Sequence, residues 1–277
     1  MIHFQDVNFG YRKGQPLFEN MSFDLPAGRI YGLLGLNGAG KTSLLKLMAG
    51  LVFPEQGLIQ VLGHEPKQRS IPFLSSIYFV DDESWFPKIH IPVFVKINIP
   101  FYPDFQEELF YELLKTFNIS PEKRLDEYSL GQRKKIHLAF GMATQPRLLL
   151  LDEPTNGLDI PSKEQLRQAI ATFISPEQSI IIATHHVQEV EALIDYLIVL
   201  HQHKVVFSMP TEDITSHFRF VESGTLQEGA LYHEESLRGQ LSILPNPLQL
   251  DSQLHIEPLF KGIIAAPDSF QIHEFVS

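Results

Sequence analysis

Gly35-Leu36-Asn37-Gly38-Ala39-Gly40-Lys41-Thr42 sets two glycines, a lysine and a hydroxyl at the spacing G-x-x-x-x-G-K-[ST]. Glycines let a backbone wrap a phosphate with successive N–H groups pointing inward, and a helix starting there adds its partial positive charge. In such a loop Asn37, Gly38, Ala39, Gly40, Lys41, Thr42 and Ser43 surround the phosphates. Lys41 reaches the β- and γ-phosphates, and the Thr42 hydroxyl is placed to ligate Mg²⁺. The flanks suit this chemistry. Ile30–Leu34 reads as a short buried strand, and Ser43–Ala49 as a helix closed by Gly50, with Pro54 soon after.

Farther along, Leu148-Leu149-Leu150-Leu151 ends in Asp152-Glu153. A strand that stops in acids beside a phosphate loop presents one carboxylate to a metal (Asp152) and a second to an attacking water (Glu153). Ser129-Leu130-Gly131-Gln132 precedes the basic stretch Arg133-Lys134-Lys135. A serine at a helix start is an ordinary N-cap, or with its exposed N–H groups a second anion site. Pro154–Asp159 is a tight loop just past the acids. Thr184-His185-His186 follows the apolar run Ser179–Ala183, which puts a histidine where open α/β sheets bind ligands. Adjacent histidines are not expected to face one side, so His185 and His186 are not read as a metal pair. His201 and His203 are expected to face solvent.

These groups need elements to hold them. Ile2–Phe9 and Met21–Leu25 alternate as antiparallel strands, and Leu58–Leu62 reads as another. Leu148–Leu151, Ser179–Ala183 and Tyr196–Leu200 are continuous apolar runs, the mark of strands buried on both faces of a parallel sheet. Helical spacing over 104–118, with Asp104 as N-cap, and from Ser129 through Met142 completes an α/β pattern. Beyond Phe207 the segments are short and rich in turn formers, and a boundary is placed near Pro210.

The 277 residues carry 22 basic and 33 acidic side chains, a formal net charge of −11. That balance argues against sequence-independent nucleic-acid binding, which needs a basic footprint. With no cysteine, disulfides and thiolate metal sites are excluded. No signal peptide and no run of about 18 apolar residues is evident, so a cytoplasmic, non-spanning chain is expected.

In order and spacing, the pieces over about residues 1–207 resemble the ATP-binding cassette of ABC transporters. Gly35–Thr42 is similar to Walker A and Leu148–Asp152 to Walker B, with Glu153 as catalytic base. Tyr128-Ser129-Leu130-Gly131-Gln132 resembles the signature, Pro154–Asp159 the D-loop, His185 the switch histidine and Tyr11 the aromatic residue that stacks on adenine. Phe101–Phe105 and Ile256–Phe260 resemble ATPase subunits of ABC-2 type exporters. The resemblance implies an α/β P-loop NTPase fold: a RecA-like parallel sheet core, an N-terminal antiparallel β-subdomain and a helical subdomain at about 85–145. The cassette would span 1–210, and 211–277 would be a C-terminal accessory extension.

It also implies ATP and Mg²⁺ as ligands, the metal being held by Thr42, Asp152 and, as a further candidate, Asp81. Ser129, Leu130, Gly131 and Gln132 would close on ATP held by a second cassette, with Asp159 in the D-loop between them. The implied partners are a similar cassette, as homodimer or heterodimer, and a transmembrane permease that keeps the chain on the inner face of the membrane. No nucleic-acid partner is expected. Two departures stand out. Tyr128 replaces the usual leucine at a packing position, and Asp81, or equally Asp82, stands where the family has the Q-loop glutamine. The apolar segment Trp85–Tyr102 is either permease-facing or buried. The alternatives are a soluble cassette ATPase acting on nucleic acid or ribosomes, and a nucleotide-binding regulator without turnover.

Overall fold

A computed structural model describes residues 1–82, 86–236 and 239–270. Glu83 of the acidic run, Trp85 of the apolar segment and the last seven residues of the tail lie outside the described residues. The chain begins β1 (Ile2–Phe9), β2 (Phe18–Leu25), β3 (Ile30–Leu34), α1 (Lys41–Met48), β4 (Gln56–Val61), α2 (Ile71–Ser76) and β5 (Ile77–Val80). Three helices follow, α3 (Ile91–Asn98), α4 (Glu107–Thr116) and α5 (Leu130–Ala143). Then come β6 (Leu148–Asp152), α6 (Ile160–Phe173), β7 (Ser179–Thr184), β8 (Tyr196–His201) and β9 (Lys204–Pro210). The tail holds α7 (Thr211–His217), β10 (Phe218–Ser223), β11 (Tyr232–Ser236), β12 (Gly239–Pro245) and α8 (Ile256–Ala265).

The central sheet has the order β5-β6-β7-β3-β8-β9, parallel throughout except for the β8–β9 hairpin. Period-two alternation sorts each strand between two cores. Leu148, Leu150, Ile181, Ala183, Leu33 and Ile198 face α1 and the antiparallel sheet β2-β1-β4. Leu149, Leu151, Ile180, Ile182, Leu34 and Val199 face the helices and the tail. Both sides of the sheet are therefore covered, which is why β6 and β7 read as unbroken apolar runs. Each of the four β6 leucines is at most 1% exposed, and each such burial contributes roughly 2 kcal/mol.

β1 breaks its alternation at Asp6, which has φ 49°, and its register shifts on both neighbours. Gly57 permits this bulge: a Cβ there would lie 2.4 Å from the Asp6 carbonyl oxygen. α4 begins at Glu107, not at Asp104 as the helical spacing predicts. The N–H of Gln106 donates to the Ala143 carbonyl at 2.8 Å, which holds Gln106 extended and delays the helix by one turn. Asn118 (φ 56°) ends it in the left-handed conformation.

The tail sheet, of order β10-β12-β11, adds Phe218, Phe220, Leu241 and Ile243 to the same core that contains Leu149 and Leu151. α8 is tied to the segment after His185. The Ile256 N–H donates to Glu191 at 3.0 Å and the Gln188 amide to Glu257 at 2.8 Å. Among the described residues no helix is long and apolar enough to cross a membrane.

Candidate functional site

The parallel register aligns the carboxyl ends of four strands. Leu34 of β3 pairs with Thr184 of β7, Asp152 of β6 with Ala183, and Val80 of β5 with Leu151. The glycine loop, the acidic pair, His185 and Asp81 thus leave the sheet along one edge. Gly38 (φ 80°) and Gly40 (φ 107°) turn the loop, and Gly40 caps α1 in the left-handed conformation. Gly35 must lack a side chain, because a Cβ would lie 2.6 Å from the Leu200 carbonyl oxygen.

Lys41 is 7% exposed. Its Nζ donates to the Gly35 carbonyl at 2.8 Å and lies 3.4 Å from Oε1 of Glu153. The Thr42 hydroxyl donates to Oδ2 of Asp152 at 2.7 Å. The other oxygen of that carboxylate, Oδ1, is buried and has no hydrogen-bond partner. Burial raises the Asp152 pKa. The Thr42 hydrogen bond opposes this, and the charges of Asp81, Glu153 and Asp82 add to it. A buried carboxylate short of one partner, beside a hydroxyl and crowded by other acids, fits a divalent cation. Among the described residues no cluster of three or more histidine or acidic side chains could hold a metal unaided.

Glu153 follows with φ 43°, its N–H donating to the Ala183 carbonyl at 2.8 Å. Its Oε2 accepts from the Thr184 hydroxyl at 2.9 Å, and its Oε1 lies 2.8 Å from Nδ1 of His185. The rings of His185 and His186 have centroids 3.8 Å apart. The backbone turn after β7 brings them together, contrary to the sequence expectation that they diverge. His203 also departs from expectation: its Nδ1 lies 3.1 Å from the Ala39 carbonyl, so the β8–β9 hairpin touches the glycine loop.

Tyr11 is 62% exposed, edge-on to Phe9, with its hydroxyl 3.1 Å from that of Ser43. An aromatic ring displayed beside a phosphate loop is suited to stacking on a base. Tyr128 is buried, its hydroxyl bonded to the Ser120 carbonyl.

Ser129 caps α5 in a capping box. Its Oγ accepts from the Gln132 N–H at 3.3 Å, and the Ser129 N–H donates to Oε1 of Gln132 at 3.1 Å. Leu130 is exposed, and a Cβ on Gly131 would sit 3.4 Å from Leu158 in the loop after the acids. Asp159 caps α6 through the Ser162 N–H, and its pKa is lowered by hydrogen bonding from the Ser162 side chain and then its backbone.

Sequence reasoning missed Lys134. It lies within the basic stretch Arg133-Lys134-Lys135, yet it is 4% exposed. Its Nζ donates to Oδ1 of Asp82 at 2.6 Å, to the Glu153 carbonyl at 2.6 Å and to the Asn156 carbonyl at 3.2 Å. Leu138 and Met142, one and two turns later on the buried face of α5, would have flagged the position only by its place in that pattern.

Residues 18–156 match the ABC transporter family. The chain is 30% identical over 207 residues to the lantibiotic transport ATP-binding protein SrtF of Streptococcus pyogenes, covering 74% of this chain and 89% of that protein. It is 28% identical over 211 residues to the bacitracin transport ATP-binding protein BcrA of Bacillus licheniformis, covering 74% and 68%. A solved ATP-binding subunit of an ABC transporter superposes with TM-score 0.68 at 21% identity, over 77% of this chain and 91% of that one, a likeness of fold.

Proposed function

This chain belongs to the ABC transporter family, and on that premise we propose that it is the ATP-binding and ATP-hydrolysing motor subunit of a transporter. The observation that carries the proposal is the convergence on one sheet edge of Lys41, the Thr42–Asp152 pair and the Glu153–His185 pair. These are a phosphate cation, a metal-ligand pair and a base with its orienting partner, with the cation 3.4 Å from the base.

Mg²⁺, held by Thr42 and Asp152, would neutralise charge on the β- and γ-phosphates. Lys41 exchanges its contacts with Gly35 and Glu153 for the phosphates, since a triphosphate offers more negative charge than one carboxylate. Released from Lys41, Glu153 accepts the proton of an attacking water while His185 and Thr184 fix its two oxygens. Tyr11 supports the base. The Ser129–Gln132 turn, presented at the start of α5 with Leu130 exposed, completes a second copy's site, so ATP favours the paired state by its differential affinity for it.

The permease would meet the ridge formed by Val93, Ile97 and Phe101, which lie four residues apart and are 47%, 52% and 68% exposed. On this reading the chain would sit at the inner face of the membrane through a partner. Residues 1–210 would form the cassette, with the helical subdomain at about 85–145, and the tail would steady the segment after His185. A net charge of −11 disfavours the reading as a nucleic-acid or ribosome remodeller.

The test is nucleotide binding by the full-length chain. Lys41→Ala is expected to weaken ATP binding strongly. Asp152→Asn is expected to abolish its enhancement by Mg²⁺. Binding unchanged in both variants would refute the assignment.

A further inference from the structure

We infer that Lys134 is a positioning residue for the Glu153 loop, and that Asp82 serves as its counter-ion, not as a ligand of the metal. The inference rests on the ATPase reading above, and the geometry that carries it is independent of sequence resemblance. An ammonium has three donors, and Lys134 uses all three: on the Asp82 carboxylate, the Glu153 carbonyl and the Asn156 carbonyl. Asn156 in turn donates its amide to both oxygens of Asp82, at 3.3 and 3.2 Å. Asp82 therefore accepts three hydrogen bonds within this clasp, which commits three of its roughly four lone-pair sites to Lys134 and Asn156.

Three segments meet at one nitrogen: the exit of β5, the first turns of α5 and the turn after β6. The Glu153 backbone is in the left-handed region, which non-glycine residues leave unless neighbours hold them there. Its carbonyl is held by Lys134 Nζ and by the Asn156 N–H at 3.1 Å. Ser129 and Gln132 stand at the start of the same helix as Lys134, as its N-cap and third residue. The helix that presents the turn to a second copy is thus bonded directly to the peptide that aims the base. A shift of that helix moves Glu153, and small misplacements of a reacting group are costly in rate.

The test uses the full-length chain with Lys134→Met, Lys134→Arg, Asp82→Asn and the Lys134→Met/Asp82→Asn double variant. Turnover is measured against Mg²⁺ and ATP, and backbone hydrogen exchange is read on the peptide spanning 153–158. Lys134→Met is expected to lower kcat at least about tenfold with KM for ATP within about twofold, and Lys134→Arg to recover most of the loss. The double variant is expected to regain thermal stability, because no carboxylate is left without its cation, yet not to regain kcat. Asp82→Asn is expected to leave the Mg²⁺ midpoint unchanged, and a shifted midpoint would overturn the counter-ion assignment. A kcat loss that merely follows the folded fraction would overturn the positioning role. If the wild-type chain shows no turnover, the ATPase reading fails. The clasp is then judged by exchange alone: faster exchange at 153–158 in Lys134→Met supports it and unchanged exchange refutes it. Should Lys134→Met not fold, the Lys134→Met/Asp82→Asn double variant gives the same two readings, kcat and exchange at 153–158.

Discussion

Nδ1 of His185 lies 2.8 Å from Oε1 of Glu153, so the residue after β7 grips the carboxylate that follows β6. Two parallel strands in register deliver both groups, and the Thr184 hydroxyl holds the second oxygen.

That grip has a kinetic consequence. His185→Ala is expected to lower turnover by roughly a hundredfold or more while ATP affinity stays near the wild-type value. Steady-state hydrolysis and binding of a fluorescent ATP analogue check the two halves separately. Equal losses in both would mean that His185 binds nucleotide and does not orient the base.

Tyr11 separates stacking from hydrogen bonding. Tyr11→Phe keeps the ring and removes only the contact with the Ser43 hydroxyl, so ATP affinity is expected to change little. Tyr11→Ala is expected to weaken ATP by about 1–3 kcal/mol, the range for losing a base–aromatic stack. Calorimetric titration of both variants is the measurement.

His137 gives a pH dependence. It packs in α5 against the rings of Tyr78 and Phe86. Burial lowers its pKa from 6.5 to about 4, a shift that the Asp81 charge only partly offsets. Between these values the unfolded chain binds more protons than the folded one. The stability is therefore fully present above about 6.5 and is lost as pH falls toward about 4, by up to roughly 3 kcal/mol. Denaturant unfolding at pH 7, 5.5 and 4 should show a shallower decline for His137→Gln than for the wild-type chain.

Val93, Ile97 and Phe101 present one exposed apolar ridge. Serine at Ile97 and Phe101 is expected to leave ATP binding by the purified chain intact and to lower the fraction of the chain that sediments with membranes from cells. An undiminished membrane fraction would place the permease contact elsewhere.

Much of this was legible in the sequence because burial on both faces leaves a plain trace. Leu148–Leu151 and Ser179–Ala183 are strands whose apolar runs can sit only inside a covered sheet. The phosphate loop was legible because its glycines answer backbone demands that few other sequences meet. Tertiary contacts hid the rest. Gln106 starts α4 because its N–H reaches Ala143, a partner that no local spacing reveals. Lys134 reads only as one residue of a basic stretch until the turn after β6 folds over it. His203 reads as solvent-facing until β8 lies beside β3 and brings it to Ala39. In the tail, short strands alternate only partly, because their apolar residues complete a core built mostly by other segments.

The most direct test of the proposed motor is Glu153→Gln, which keeps the shape of the side chain and removes its basicity. Light scattering of the full-length variant with Mg²⁺ and ATP, beside a phosphate-release assay, reads assembly and chemistry together. The expected result is negligible phosphate release with ATP bound and a mass twice that of the chain. Hydrolysis at the wild-type rate, or a monomer at saturating ATP, would contradict a paired ATPase that uses Glu153 as its base.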